Sequence, residues 1–232
     1  VWDRKTQALI LARDRLGEKP LYYGWVNGVV VFASELKALR AFPGFANPIE
    51  RRALALYMRH NYIPAPWSIY RDIWKLPPGS FLRFAAHDSS IDAAAVREAR
   101  PQRYWSAREA AEQGLQKPFE GSPEEARAQL EQLLTRSVAS QMVADVPLGA
   151  FLSGGIDSTA VVALMQAQSA RPVHTFTIGF HEKGYNEAEH AHAVAAHLGT
   201  DHTELYVTPE QAQAVIPSLP HLYDEPFADS SQ

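Results

Sequence analysis

The sequence predicts an α/β chain in two parts, an antiparallel sheet followed by the opening of a parallel one. Three observations carry that prediction. Asn27-Gly28 sits between two β-prone runs, the strongest short hairpin signal. From Ser122 the texture changes to apolar residues at helical spacing. Beyond residue 148, short apolar runs alternate with helical stretches, which implies βαβ crossovers and a parallel sheet. At 232 residues, 46% hydrophobic and 21% charged, the chain is long and apolar enough for one to two domains with cores of their own.

Taken in order, Val1-Trp2 reads as a strand end and residues 3–6 as a polar turn. Residues 8–12, 21–25 and 29–32 are β-prone runs. Residues 34–41 read as a short helix capped by Ser34 and stopped by Phe42-Pro43-Gly44. Asn47 as cap, Pro48 at the first position and Glu50 at the third start a second helix. It runs to about His60, where Asn61 and the prolines at 64 and 66 end it. The turn at 76–80 leads into a strand at 81–84. Tyr and Trp residues around 57–74 read as core and domain packing rather than as a base-stacking surface. Residues 85–121 hold few large apolar groups besides Tyr104-Trp105 and read as a surface excursion followed by a linker. The domain boundary falls in that linker, giving domains 1–106 and 107–232.

Ser122, Pro123 and Glu125 repeat the cap logic, and Ala126, Leu130, Leu133, Leu134, Ser137, Val138 and Met142 form one stripe. Strands follow at 148–152, 173–180 and 202–207. Helices follow at 157–170 and 186–198, and near 208–215 and 217–223. There is no internal repeat.

Composition excludes several functions. Lys plus Arg is 22 against 26 for Asp plus Glu, so the formal charge of −4 supplies no basic excess for phosphate backbones. The absence of Cys excludes a disulfide framework, a thiolate metal site and a Cys nucleophile within these residues, and suits the cytoplasm. No apolar run approaches the roughly 20 residues needed to span a bilayer, and no signal peptide is evident. The start at Val1 without Met and the stop at Gln232 read as an internal piece of a longer protein.

The strongest local signal is Leu152-Ser153-Gly154-Gly155-Ile156-Asp157-Ser158-Thr159, between an apolar run and an apolar helix. Strand, glycine turn and helix start make an anion site, because first-turn N–H groups lack intrahelical partners. Two glycines let the backbone approach phosphate oxygens. Ser153, Ser158 and Thr159 add hydroxyl donors, and Asp157 suits a bridging Mg²⁺. No Lys follows the glycines, so this is not the GxxxxGK[ST] loop. That fits chemistry in which the two terminal phosphates leave together as pyrophosphate.

The string resembles the PP-loop of ATP pyrophosphatases. Asp145-Val146-Pro147-Leu148-Gly149 leads into it, and Thr175-Phe176-Thr177-Ile178-Gly179-Phe180 follows. Further on come Asn186-Glu187, His197-Leu198-Gly199-Thr200 and Asp224-Glu225-Pro226-Phe227-Ala228-Asp229. Upstream, residues 13–23 (RDRLGEKPLYY) and 32–39 (FASELKAL) resemble class II glutamine amidotransferase segments. The combined order resembles glutamine-hydrolysing asparagine synthetase over nearly the whole chain.

The resemblance implies the C-terminal part of an antiparallel-sheet amidotransferase domain, then the start of a doubly wound parallel-sheet nucleotide-binding domain. It implies a ligase that adenylates the aspartate side-chain carboxylate, after which ammonia from glutamine displaces AMP. Carried over by position, Ser153, Gly154, Gly155, Asp157 and Ser158 would hold pyrophosphate and Mg²⁺. Asp157 would be the metal ligand, and Asp157 and Ser153 the catalytic groups. Leu152 and Ile178 would contact the adenine nucleotide, largely through backbone atoms. Residues 224–231 would lie near acceptor and nucleotide. The cofactors implied are ATP and Mg. The implied partners are glutamine, aspartate and ATP, without nucleic acid or membrane, and a homodimer is compatible.

Two departures matter. The family's glutaminase nucleophile is an N-terminal Cys, absent here, and its further Gly-rich acidic motif would lie beyond residue 232. The 232 residues alone are therefore expected to be inactive. Three rival readings stand beside the first. One amidates another carboxylate, such as a sugar uronate or a β-lactam-type acceptor. Another is a non-catalytic nucleotide-binding remnant. The third, tRNA thiolation, would require cysteines and a basic surface. Residues 13–23 are expected to serve structure, and Glu35 a solvated face. Six of nine histidines fall between His174 and His202, but none is paired at i, i+4 on a helix, so solvated or capping roles are expected over a metal.

Overall fold

The structure is a computed structural model and describes residues 1–85, 91–181 and 186–228. Asp229, the last residue of the 224–229 string, lies outside them. The chain divides into two compact units, one of residues 1–118 and 218–232, the other of 119–217.

In the first unit, β1 (Trp2–Asp3), β2 (Ala8–Ala12), β3 (Tyr22–Val26) and β4 (Val29–Ala33) come first. Asn27 and Gly28 both have positive φ (47° and 86°), so the β3–β4 turn has the twist that two-residue hairpins need. Then come α1 (Leu36–Arg40), α2 (Arg51–His60), β5 (Ile73–Lys75), β6 (Ser80–Ala85), α3 (Ala93–Glu98), β7 (Gln102–Arg103) and α4 (Ala107–Gln116). The strands form two antiparallel sheets, ordered β1-β2-β6-β7 and β4-β3-β5. Leu11, Leu82 and Phe84 of one sheet share a buried cluster with Tyr23 of the other. Tyr22, Val26 and Val31 face a second cluster with Leu36, Leu39 and Ala53. Tyr57, Trp67 and Tyr70 pack against that cluster.

Arg13 fixes the loop after β2. Its Nε donates to the Lys19 carbonyl (3.0 Å), and its two terminal nitrogens donate to those of Leu76 and Gly17 (2.8 Å each). The Asp14 carboxylate accepts from the N–H groups of Glu18 and Lys19, and these bonds hold its carboxyl below the usual carboxylate range. The expected structural role of residues 13–23 has this hydrogen-bonded loop as its physical content. Glu35 is exposed and pairs with Lys37 at 3.4 Å.

Three local expectations are corrected. The first helix begins at Leu36 and is not capped by Ser34. Its N-cap residue, Glu35, makes no side-chain cap, and the Asp224 carboxylate accepts from the N–H groups of Leu36 (2.6 Å) and Lys37 (3.0 Å) instead. The second helix begins at Arg51, with Glu50 accepting from Arg52 N, rather than at Asn47. Asn47 bonds the carbonyls of Trp25 and Arg71, while Ile49 bridges Tyr70. The stretch read as a linker carries α4, capped by Ser106 and grouped with the first compact unit.

The second unit runs α5 (Pro123–Gln141), β8 (Gly149–Phe151), α6 (Ile156–Ala167), β9 (His174–Gly179), α7 (Ala188–Leu198), β10 (Asp201–Tyr206) and α8 (Pro209–Val215). The capping box read at Ser122 and Glu125 is present. The three strands are parallel and lie in the order β10-β9-β8. One face packs Leu152 with Val162 of α6 and with Ala191 and Ala195 of α7. On the other face Phe151, Phe176, Ile178 and Leu205 are exposed. The chain then returns to the first unit with α9 (Leu219–Leu222). No helix among the described residues is long and apolar enough to cross a membrane.

Replacing Arg13 by Ala is expected to destabilise the first unit by about 2 kcal/mol, since hydrogen bonds to a charged donor contribute about 1.5–3 kcal/mol. Lys cannot span three carbonyls, so Arg13→Lys should recover little of it. The midpoint of urea unfolding followed by tryptophan fluorescence checks both.

Candidate functional site

The candidate site is the turn between β8 and α6. The strand delivers Leu152, 1% exposed, with both backbone groups paired in the sheet. Its N–H donates to the Phe176 carbonyl (2.9 Å), and its carbonyl accepts from Thr177 Oγ1 (2.5 Å). Thr177 thus locks the last residue before the glycines to the neighbouring strand.

Gly154 has φ +76°. A Cβ there would stand 2.8 Å from His190 Cβ and 2.9 Å from the Ala191 nitrogen, so the turn packs its backbone directly on α7. Gly155 is different. Its φ is −73°, and a Cβ would meet only Ser153 Oγ, at 3.3 Å. Its surroundings are open, and it is the N-cap of α6 without a side chain to cap it. The first intrahelical bond runs from Thr159 N to the Gly155 carbonyl (3.1 Å), so the preceding first-turn N–H groups have no intrahelical acceptor.

The two serines close the loop on itself. Ser153 Oγ and Ser158 Oγ lie 2.9 Å apart. Ser153 N donates to Ser158 Oγ, Gly155 N to Ser153 Oγ and Ser158 Oγ to the Gly155 carbonyl, each at 3.3 Å. Asp157 sits exposed in the first turn of α6. The turn therefore gathers Ser153, Gly154, Gly155, Asp157 and Ser158, all residues read from the sequence. Open backbone at Gly155, uncapped N–H groups, two mobile hydroxyl protons and one free carboxylate form a donor set that fits a polyphosphate with its divalent cation.

Leu152 and Ile178 are placed differently from those five. The Leu152 backbone is already paired as described. Ile178 sits on β9 opposite Leu205, its side chain on the exposed sheet face. Asp224 and Glu225 spend their carboxylates within the first unit, Asp224 as given above and Glu225 on Ile69 N and Lys75.

Sequence reasoning missed a polar network on β10. His192 Nδ1 lies 2.7 Å from Glu204 Oε1, and this contact is the main cause holding the Glu204 carboxyl below its ordinary range. His202 Nδ1 meets Thr175 Oγ1 at 2.8 Å, and His174 pairs with Asp201 at 2.9 Å. Three of the six clustered histidines thus have assigned polar partners from strands. Alternation along β10 was the available signal, because residues 202 and 204 share a face. Among the described residues no group of three or more His, Cys, Asp or Glu side chains could hold a metal.

Comparisons with known proteins agree with the two-part reading. Residues 1–105 match the family model described as a glutamine amidotransferase domain, and residues 129–232 that described as asparagine synthase. Among relatives, a Methanocaldococcus jannaschii protein bearing the name of a glutamine-hydrolysing asparagine synthetase is 35% identical over 100% of this chain and 42% of its own length. A similarly named protein of Mycobacterium tuberculosis is 36% identical over 99% of this chain and 34% of its own. Asparagine synthetase 1 (glutamine-hydrolysing) of Bacillus subtilis is 31% identical over 99% and 33%. The chain thus spans a third to under half the length of these relatives.

The two glycines should respond differently to Ala. Gly154→Ala combines a left-handed φ, which costs an L-residue about 1–2 kcal/mol, with contact against the α7 backbone. Its melting temperature should fall by several degrees. Gly155→Ala should melt close to the parent chain. Equal melting temperatures would contradict the packing described.

Proposed function

Since the chain belongs to the glutamine-hydrolysing asparagine synthetase family and joins its amidotransferase and synthase stretches, we propose that its β8–α6 turn binds Mg·ATP for adenylation of a carboxylate. The acceptor we assign is the aspartate side chain. Ammonia from glutamine then displaces AMP to give asparagine.

The observation that supports this most directly is the self-bonded Ser153–Ser158 pair beside an uncapped helix start. Without a ligand the hydroxyls satisfy one another. With a pyrophosphate group present, each can turn its proton outward, while the N–H groups at the start of α6 face the same anion. Negative charge builds on the departing pyrophosphate as the carboxylate oxygen attacks the α-phosphorus. Donors that are already oriented stabilise that charge without reorganisation. Asp157 would hold Mg²⁺, which supplies charge neutralisation between the phosphates when bound. Leu152 and Ile178 remain our assignment for the nucleotide side of the turn.

Adenylation answers a chemical need, because a carboxylate oxygen leaves poorly and AMP leaves well. The 232 residues contain no Cys, so glutamine hydrolysis by an N-terminal Cys is not carried within them. Glutamine, aspartate and ATP are the partners of the whole enzyme in this reading, and the cytoplasm is its compartment.

Asp157→Ala is expected to weaken Mg·ATP binding at least tenfold in titration calorimetry while the thermal melt stays where it was. Unchanged affinity would reduce the turn to a structural element.

A further inference from the structure

Residues 219–228 follow the second unit in sequence but are seated on the first. Glu225 Oε1 accepts from Ile69 N (2.7 Å), and its other oxygen meets Lys75 Nζ in an ion pair. That pair is shielded, with side chains 9% and 16% exposed. Lys75 Nζ also donates to the Ile63 carbonyl. Asp224 accepts from Leu36 N and Lys37 N, Lys37 Nζ donates to the Leu222 carbonyl (3.2 Å), and Ala228 N donates to the Asn61 carbonyl (2.7 Å). Leu36 and Asp224 are 188 residues apart in sequence.

The seat is polar rather than a continuation of the core. None of residues 219–228 belongs to the buried clusters of the first unit. Leu222 and Tyr223 are exposed. Open clefts of about 370 and 250 Å³ are lined jointly by the segment and its seat, one including Ile49 and Tyr70, the other Tyr22 and Tyr62. Burial raises the Glu225 carboxyl above its ordinary range, and Lys75 opposes that shift. A buried carboxylate of this kind is tolerated where a cation and an N–H group meet it, and here both come from the first unit.

We propose that residues 219–228 are a detachable strap, and that the first unit carries a preformed receptor for an Asp-Glu segment, made of the N–H groups of Leu36, Lys37 and Ile69 with the Lys75 ammonium. The receptor recognises two adjacent carboxylates by charge and by backbone donors. The strap joins the 32–39 string of the amidotransferase stretch to the 224–229 string of the synthase stretch. Only this last meaning rests on the function proposed above; the docking itself does not.

Hydrogen exchange on the full 232-residue chain tests it without any catalytic readout. In Asp224→Ala/Glu225→Ala the amides of Leu36, Lys37 and Ile69 should exchange at least tenfold faster, while those of Leu11 and Leu82 stay unchanged. Adding a peptide of residues 219–228 to that variant should restore protection, and the same peptide with Ala-Ala for Asp-Glu should not. Protection within twofold of the parent chain overturns the proposal. So does faster exchange that spreads equally to Leu11 and Leu82, which would make the segment part of the core. Failure of the native peptide to restore protection, or equal restoration by both peptides, also overturns it. Loss of Mg·ATP binding in Asp157→Ala reads the other proposal independently.

Discussion

β3 must be buried on both sides. Consecutive residues of a strand point to opposite faces, and here Tyr22 and Tyr23, at 8% and 3% exposure, enter two different buried clusters. One cluster brings the four-stranded sheet against β3 through Leu11, Leu82 and Phe84. The other brings α1 and α2 against its far side through Leu36, Leu39 and Ala53. The rest of the first unit is arranged to satisfy that double burial. The hairpin at Asn27-Gly28 returns β4 beside β3, and β5 closes its other edge. The Arg13 fork ties the loop between β2 and β3 to the backbone before β6, so the two sheets share one hydrogen-bonded corner.

The second unit solves a different problem, which is to present a flexible-looking string in one shape. Ser-Gly-Gly could adopt many conformations. The shape is imposed from behind, by Thr177 on the Leu152 carbonyl and by α7 on the missing Cβ of Gly154. Rigidity at Gly154 and openness at Gly155 are complementary, since one holds the turn against α7 and the other leaves its backbone uncovered. The side chains doing the holding lie on β9 and α7, outside the glycine string itself.

Legibility in the sequence followed the range of the forces. The Asn27-Gly28 turn, the capping box at Ser122 and the strand–glycine–helix string are each decided within a few residues, and each stands where the sequence put it. The short helix after β4 was legible but its cap was not, because the carboxylate that meets its first N–H groups is Asp224, 188 residues on. Asn47 carries every local mark of a helix start, yet its side-chain N–H groups donate to the carbonyls of Trp25 and Arg71, and the helix begins only at Arg51 with Glu50 as its cap. The helix at 107–116 lacks any fully buried residue, so hydrophobic periodicity had little to report, and its Ser106 cap was the available sign. The candidate turn was legible for the same reason as the hairpin, whereas its support from Thr177 and His190 depends on sheet register and helix packing.

The return of the chain to the first unit also orders events in time. A polypeptide emerges from the ribosome at about 5–20 residues per second. Residues 1–118 are made first, but Asp224 and Glu225 follow only after the whole second unit has been synthesised. For roughly 5–20 s, then, Lys75 and the amides of Leu36, Lys37 and Ile69 have been made while the carboxylates that meet them have not. Any folding of residues 1–118 during synthesis therefore proceeds without the Asp224 and Glu225 contacts, which can close only at the end.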